Sequence, residues 1–213
     1  MTNFIPVFPL GLVVYPGEHL NLHIFEPRYK QLIKECHDSG KSFGIPTVID
    51  NKLQDHGTSV KVLEISKIYP DGEMDIRTEG QEVFRILEVI RDIPDKLYSG
   101  AIVNYPPNNT RMLPGVLDQL MQSIQKLHEL LQVKKDMRIP GRDPDAYAIA
   151  HHVGMSLQEE YELLCLFDER QRQEYLKRFL EKVLPTVAGM EQLKEKIRLN
   201  GHFRSFPGLK WEE

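Results

Sequence analysis

Alternating apolar and polar side chains characterise the first half of the chain. Apolar residues fall at roughly every second position over 58–69, a turn follows at Pro70-Asp71-Gly72, and the alternation resumes over 74–78, which predicts a β-hairpin. Apolar runs between turn residues predict five further short strands, over 4–8, 20–25, 43–49, 83–89 and 99–105. So many short strands indicate a closed or half-closed barrel, because an open sheet of that size would leave edges that aggregate.

Apolar residues occur at helical spacing in one segment between the predicted strands. Pro27 suits the first turn of a helix, and Gly40 lies where a C-terminal cap is expected. One face of the predicted helix is apolar and consists of Tyr29, Leu32, Ile33 and Cys36. The segment from Phe25 to Gly40 therefore predicts a strand end, a turn and a short helix.

The pattern becomes helical after residues 105–110 (YPPNNT), which have the composition of a linker. Apolar residues recur at helical spacing over 116–131 and again over 175–184, and Pro185 is expected to kink or end the last helix. Further predicted helix starts are a cap at Asp143 followed by Pro144, a capping box of Ser156 with Glu159, and a cap at Asp168.

Strands followed by about four helices predict an α+β architecture. The linker divides the chain into a β-rich part over residues 1–107, with one short helix, and a helical part over 108–213. The two parts are expected to form either two subdomains or one domain with two lobes.

Composition narrows the classes of function. The chain has 27 Lys and Arg against 31 Asp and Glu, a formal charge of -4, which argues against sequence-independent binding of nucleic acid because such binding needs excess cations. No secretory leader precedes the first basic residue, Arg28, and every apolar run is too short to span a membrane, so a cytoplasmic protein is expected. Cys36 and Cys165 form no close pair and are expected to be reduced and buried.

Partial motifs for ligand binding or catalysis each lack a required part. The triplet Gly40-Lys41-Ser42 follows a predicted helix and lacks the earlier glycine of a phosphate-binding loop. Gln132 stands where a zinc-protease helix would have its second histidine, so His128 is expected to lie on a helix surface. His19 and His23 would lie roughly 13 Å apart along one strand, too far to share a metal ion. We therefore predict no catalytic residue, no cofactor and no metal site.

The segment Tyr15-Pro16-Gly17-Glu18 fits a type II turn, in which Pro16 presets one backbone angle and Gly17 accepts a positive φ. Gly11 is expected to allow a bend where a strand leaves the rim of the barrel. These features predict sheet corners rather than a phosphate-binding loop.

The sequence closely resembles the N-terminal substrate-binding domain of the ATP-dependent Lon proteases, above all in the strings FPLGLVVYPGEHLNLHIFEPRYKQLI, GTSVKVLEISKIYPDGEMDI and EGQEVFRI. A later string, MSLQEEYELLCLFDERQRQEYLKRFL, resembles the helical part of that domain, so the likeness covers nearly the whole chain. The resemblance implies a PUA-like pseudo-barrel followed by a helical bundle, and recognition of protein substrates. A full Lon protease also has ATPase and Ser-Lys protease modules, which this sequence lacks, so a stand-alone, non-enzymatic domain is expected.

Several residues match the family's pattern: Gly11, Pro16, Gly17, Glu26, Pro27, Arg28 and Tyr29. Turns, helix initiation and a partly buried ion pair of Glu26 with Arg28 or another basic residue explain most of them. The leading hypothesis is a module that binds unfolded or partner polypeptides in an apolar groove between barrel and helices, with Tyr15, Tyr29 and Phe84 as candidate lining residues. Two alternatives stay open: a PUA-like protein that binds RNA or modified bases, and a small-molecule hydrolase whose site is not visible in sequence.

Overall fold

The computed structural model describes residues 2–134 and 144–202, with side chains up to residue 197. Within these ranges the chain forms six β-strands and five α-helices. The strands are β1 (Thr2–Pro6), β2 (His19–Ile24), β3 (Phe43–Ile49), β4 (Lys52–Ile68), β5 (Met74–Ile90) and β6 (Gly100–Asn104). The helices are α1 (Pro27–Ser39), α2 (Val116–Leu130), α3 (Ala146–Ala150), α4 (Leu157–Leu164) and α5 (Glu169–His202).

The six strands form one antiparallel sheet in the order β1-β6-β5-β4-β3, and β2 also pairs with β5. The segment after β1 then reaches the other end of this order, because Val7 bridges Gly44 and Leu10 bridges Thr47 in parallel fashion. The chain from Thr2 to Leu10 therefore joins the two ends of the sheet. Mixed α+β architecture, as predicted, is confirmed.

The predicted strands over 74–78 and 83–89 are one continuous strand, β5. The register with β4 shifts between the pairs Thr58–Val83 and Val60–Gly80, so β5 carries one extra residue at this point. Gln81 and Glu82 are consecutive exposed residues there, which changes the phase of the alternation. The sequence pattern thus breaks where the strand bends rather than where it ends.

Helix α1 forms as predicted. Its apolar face, Tyr29, Leu32, Ile33 and Cys36, is buried against the sheet. Gly40 ends the helix in the left-handed conformation with φ of 66°, which glycine adopts without strain. The signals that predict this helix, its glycine cap and its apolar face, therefore all lie within the segment itself.

The later helices pack with part of the sheet in one core. Leu120, Ile124 and Leu127 of α2 share that core with Leu163, Leu164, Leu176 and Leu180 of α4 and α5, and the sheet side contributes Val13, Tyr15 and Val83. Ser156 and Glu159 form the predicted capping box at the start of α4, and the Asp168 carboxylate accepts a hydrogen bond from the Arg170 amide at the start of α5.

Four predictions for the helical half differ from the structure in whole or in part, or fall outside the described residues. Helix α3 begins at Ala146 with Asp145 as its cap, so Pro144 is not the first helical residue; the predicted cap Asp143 lies outside the described residues. Pro185 was expected to kink or end the last helix, and it lies inside α5, which continues to His202, so it does not end the helix. Cys36 is buried as predicted, but Cys165 is partly exposed.

Within the described ranges no helix has both the length and the apolar character to cross a membrane.

Candidate functional site

The turn at residues 15–18 forms as predicted and is anchored to β5. The Glu18 amide donates to the Tyr15 carbonyl over 3.1 Å, and Gly17 has a φ of 75°. The Gly17 amide donates to the Gly80 carbonyl over 2.7 Å. A Cβ atom at Gly80 would lie 2.3 Å from the Tyr15 oxygen, so glycine is required where turn and strand approach. The bend at Gly11 lies just after the segment that bridges β3.

The three aromatic residues predicted to line a polypeptide groove have core contacts. Tyr15, Tyr29 and Phe84 expose 1%, 7% and 0% of their surface. The Tyr15 ring stacks on Tyr147 at 5.1 Å and its hydroxyl donates to the Glu160 carbonyl, while Tyr29 stacks on Phe8 at 3.9 Å. A direct contact between these side chains and a bound polypeptide stays a prediction, and packing accounts for their present positions.

The junction between sheet and helices is filled rather than open. His151 lies there with Nδ1 at 2.8 Å from Glu160 and Nε2 at 3.1 Å from Glu18. Burial opposes the charged imidazolium, but the hydrogen bonds to the two carboxylates outweigh it and raise the pKa of His151 to about 9. The cavity beside the turn has a volume of about 170 Å³, less than ligand pockets usually provide.

Glu26 and Arg28 form the predicted ion pair, with 2.8 Å between Oε2 and the guanidinium. Both side chains are more than one-third exposed, so the expectation of a partly buried pair is wrong. Water screens such a pair, and its contribution is about 0–1 kcal/mol. Pro27 begins α1 as predicted, and the Arg28 guanidinium lies 4.6 Å from the centre of the Tyr29 ring.

The histidines do not form a metal centre in the described part of the chain, where no cluster of three or more His, Cys, Asp or Glu side chains has a suitable arrangement. His23 Nδ1 lies 2.7 Å from Asp75 and its Nε2 lies 3.0 Å from Glu73. His128 is buried, and its Nε2 lies 2.8 Å from the His152 carbonyl, so the predicted surface position of His128 is wrong.

A groove with an edge strand along it lies between β1 and the end of α1. We call it the β1–α1 groove; its volume is about 980 Å³, within the range that accommodates ligands. Residues Asn3–Pro6 of β1 form one side, and the last turns of α1 with Lys41 and Ser42 form the other. Tyr98 and Tyr105 add aromatic surface, and Phe4 at the rim is 49% exposed.

Two of the charged side chains in the β1–α1 groove, Glu35 and Lys96, form an ion pair. Glu35 accepts hydrogen bonds from the Lys96 ammonium at 2.8 Å and from the Tyr98 hydroxyl at 2.5 Å. The Lys96 hydrogen bond is the main reason why the pKa of Glu35 is lowered, with Tyr98 second. Burial raises the pKa of the Cys36 thiol to about 11, so the thiol stays protonated at neutral pH. The groove offers backbone, aromatic and polar contacts to a ligand.

A second groove of about 840 Å³ runs along α5. Four of its charged side chains form pairs within the helix and at its start, Asp168 with Arg170 and Glu174 with Arg178. The helical backbone beside it is already hydrogen bonded, so this groove has side chains alone with which to bind a ligand.

The fold and this arrangement define a mixed α+β domain with a groove beside an edge strand. Residues 5–182 match the family described as ATP-dependent protease La (LON) substrate-binding domain, and the chain belongs to this family.

Two solved structures share the fold. A Lon N-terminal domain protein from Xanthomonas campestris has a TM-score of 0.64 and 23% identity, covering 83% of this chain and 98% of that one. The N-terminal domain of a Mycobacterium avium complex Lon protease has a TM-score of 0.61 and 17% identity, covering 84% and 98%.

Among curated proteins, the Lon protease of Flavobacterium johnsoniae is 21% identical over 92% of this chain, and the match covers 26% of that protease. The Lon protease of Amoebophilus asiaticus is 22% identical over 87% of this chain and 24% of its own length. This chain thus spans about a quarter of the length of the curated relatives that it matches.

Proposed function

We propose that this protein is a non-catalytic module that recognises polypeptides in the manner that the name of its family implies. The observation that carries the proposal is the β1–α1 groove, which places an edge strand, the exposed ring of Phe4 and two tyrosines around about 980 Å³. Extended polypeptides bind to sheet edges and apolar grooves of this kind. The paired charges of Glu35 and Lys96 leave no strong net charge there that would select a small ion.

We further propose that the closed strand order is a PUA-like pseudo-barrel and that α2–α5 form a helical bundle, with the division near residue 107. Two lobes of this kind would share the core around Tyr15, Tyr147 and Val83 and so behave as one rigid recognition unit. A cytoplasmic location, where unfolded chains arise, fits this role.

The test is binding of an unfolded protein. Reduced, carboxymethylated lactalbumin carrying a fluorophore would be titrated with the protein and followed by anisotropy, and native lactalbumin with the same fluorophore is the control. We expect saturable binding of the unfolded form at roughly tens of micromolar or below, the range of weak recognition, and no binding of the native form. Equal binding of both forms, or binding of neither, would refute the proposal.

A competing outcome is also measurable. A single-stranded RNA probe should show no shift in mobility with this protein, because the chain has an excess of acidic residues. A shift that weakens steeply as salt increases would instead support nucleic-acid binding and count against polypeptide recognition.

A further inference from the structure

The hydrogen-bonding direction of β1 alternates along the strand. The Val7 amide donates to the Ser99 carbonyl over 2.9 Å, in line with the antiparallel register that pairs Ile5 with Ala101. In such a ladder every second residue bonds to the partner strand, and the residues between them point their amides and carbonyls the other way. Ile5 and Val7 therefore face β6, while Phe4 and Pro6 face outward.

The outward edge is closed beyond Pro6 but open at Phe4. The Phe8 amide donates to the Gly44 carbonyl over 2.8 Å, and the parallel bridge from Val7 to Gly44 marks where β3 begins to pair with this edge. β3 starts only at Phe43, because the chain leaves α1 through the left-handed Gly40. Among the described residues, none forms a backbone hydrogen bond to the outward amide and carbonyl of Phe4.

The side chain of Phe4 is held in place beside this open backbone. A Cβ atom at Gly100 would lie 2.4 Å from the Phe4 ring, so the ring packs directly over that glycine. Phe4 is paired with Ile102, and its other flank is exposed. A residue placed opposite Phe4 on the outward side would have its own side chain next to the ring, since paired residues lie on the same face of a sheet.

We infer that the outer edge of β1 at Phe4 takes up an extended segment of the bound polypeptide as an additional strand, with an apolar side chain against the Phe4 ring. The occupant follows from the chemistry of the edge, since one donor and one acceptor at strand spacing complement an extended backbone. The neighbouring residues of the added strand would face the polar end of α1 around Ser39 and Lys41, where polar side chains are tolerated. This inference rests on the proposed function and assigns its site.

Two variants of Phe4 separate the contribution of its backbone amide to polypeptide binding from the contribution of its aromatic ring. Phe4→Ala removes the ring and keeps the outward amide, whereas Phe4→Pro removes both and leaves the ladder to β6 unchanged, because that amide does not bond to β6. With carboxymethylated lactalbumin as the probe, we expect Phe4→Ala to weaken binding several-fold and Phe4→Pro by about a further fivefold to tenfold, the effect of one hydrogen bond. Phe25→Ala is the matched control, because Phe25 is an exposed aromatic residue outside the groove.

Amide exchange gives a readout that does not depend on affinity. In a ¹⁵N-labelled sample, the Phe4 amide should exchange rapidly in the free protein and become protected by a short peptide that alternates Val and Thr. The same peptide with N-methylated amides should protect it far less. Circular dichroism would verify that each variant is folded before binding is compared.

The outcomes distinguish this inference from the proposed function. If unfolded lactalbumin binds the wild type and Phe4→Pro equally, the edge is not the site and the inference is wrong, while polypeptide recognition stands. If the protein dimerises through Phe4 and the peptide cannot compete, the occupant is a second copy of the chain and the inference is also wrong. Failure of the wild type to bind any unfolded protein would refute the proposed function itself.

Discussion

Nε2 of His151 lies 3.1 Å from Oε2 of Glu18, a residue 133 positions earlier in the chain. The same carboxylate oxygen accepts the Tyr15 amide over 2.8 Å within the Pro-Gly turn. His151 also contacts Glu160 of α4 through its other nitrogen. One side chain thus connects the sheet, α3 and α4.

This connection predicts a pH-dependent stability. The pKa of His151 is raised from 6.5 to about 9, so its contribution is fully present below pH 6.5 and is lost as the pH rises through 9. The loss is on the order of 3 to 4 kcal/mol, since a pKa that rises from 6.5 to about 9 corresponds to about 1.4 kcal/mol for each step of one in pKa. Urea unfolding of wild type and His151→Gln between pH 6 and 10 should show a stability difference that shrinks with rising pH. A constant difference would contradict this account.

The buried pair of Arg172 and Glu169 should be costly to break. Both side chains are 1% exposed, and the guanidinium also donates to Asn108 and to the Leu166 carbonyl. Arg172→Met leaves the Glu169 carboxylate buried without its cation, so we expect a loss of about 3–5 kcal/mol in the free energy of unfolding. Denaturant unfolding measures it. The double variant Arg172→Met with Glu169→Gln should be less destabilised than the sum of the single variants, and strict additivity would disprove coupling.

Two glycines should respond to alanine in opposite directions. In Gly80→Ala the new Cβ would meet the Tyr15 backbone oxygen at 2.3 Å, and we expect a loss of more than about 2 kcal/mol because backbone must move. Gly189 lies in α5 with nothing within 4 Å of an added Cβ, so Gly189→Ala should be neutral or stabilise by up to about 1 kcal/mol. Thermal unfolding of both variants checks the contrast. A stable Gly80→Ala protein would show that the turn does not approach β5 so closely.

A variant of Phe84 tests whether this residue, predicted to line a binding groove, contributes to stability through packing rather than to binding. Its ring is fully buried against Gly44, so Phe84→Ala should cost about 3–5 kcal/mol of stability. Affinity for unfolded lactalbumin, corrected for the folded fraction, should stay unchanged. Leu87→Ala on the same strand is the control, since Leu87 is 51% exposed and should change stability by less than about 1 kcal/mol. Weaker binding by a stable Phe84 variant would instead support direct contact.

Features set by a few neighbouring residues could be predicted from the sequence. The turn at Pro16-Gly17, the cap at Gly40 and the capping box of Ser156 with Glu159 each depend on residues within one turn of the chain. The course of β5 could not be predicted, because its bulge depends on pairing with β4.

The β1–α1 groove was also beyond sequence reasoning. Phe4, Glu35 and Lys96 meet only after the strands have paired, and nothing in their local patterns links them. Residues with distinctive local patterns, such as Tyr15 and Tyr29, instead fill the interior. The run from Phe4 to Phe8 is apolar throughout, so no alternation marks Phe4 as the exposed residue.

The pairing of Thr2 with Asn104 has a consequence for biosynthesis. A ribosome that makes the chain from its N-terminus releases β1 long before its partner β6 has been synthesised. The first strand therefore stays unpaired with β6 while the intervening residues emerge. Contacts between distant positions form slowly, and a nascent chain with an unsatisfied strand is vulnerable to misassembly. Co-translational folding of this protein should therefore be completed late, after the sixth strand has left the exit tunnel.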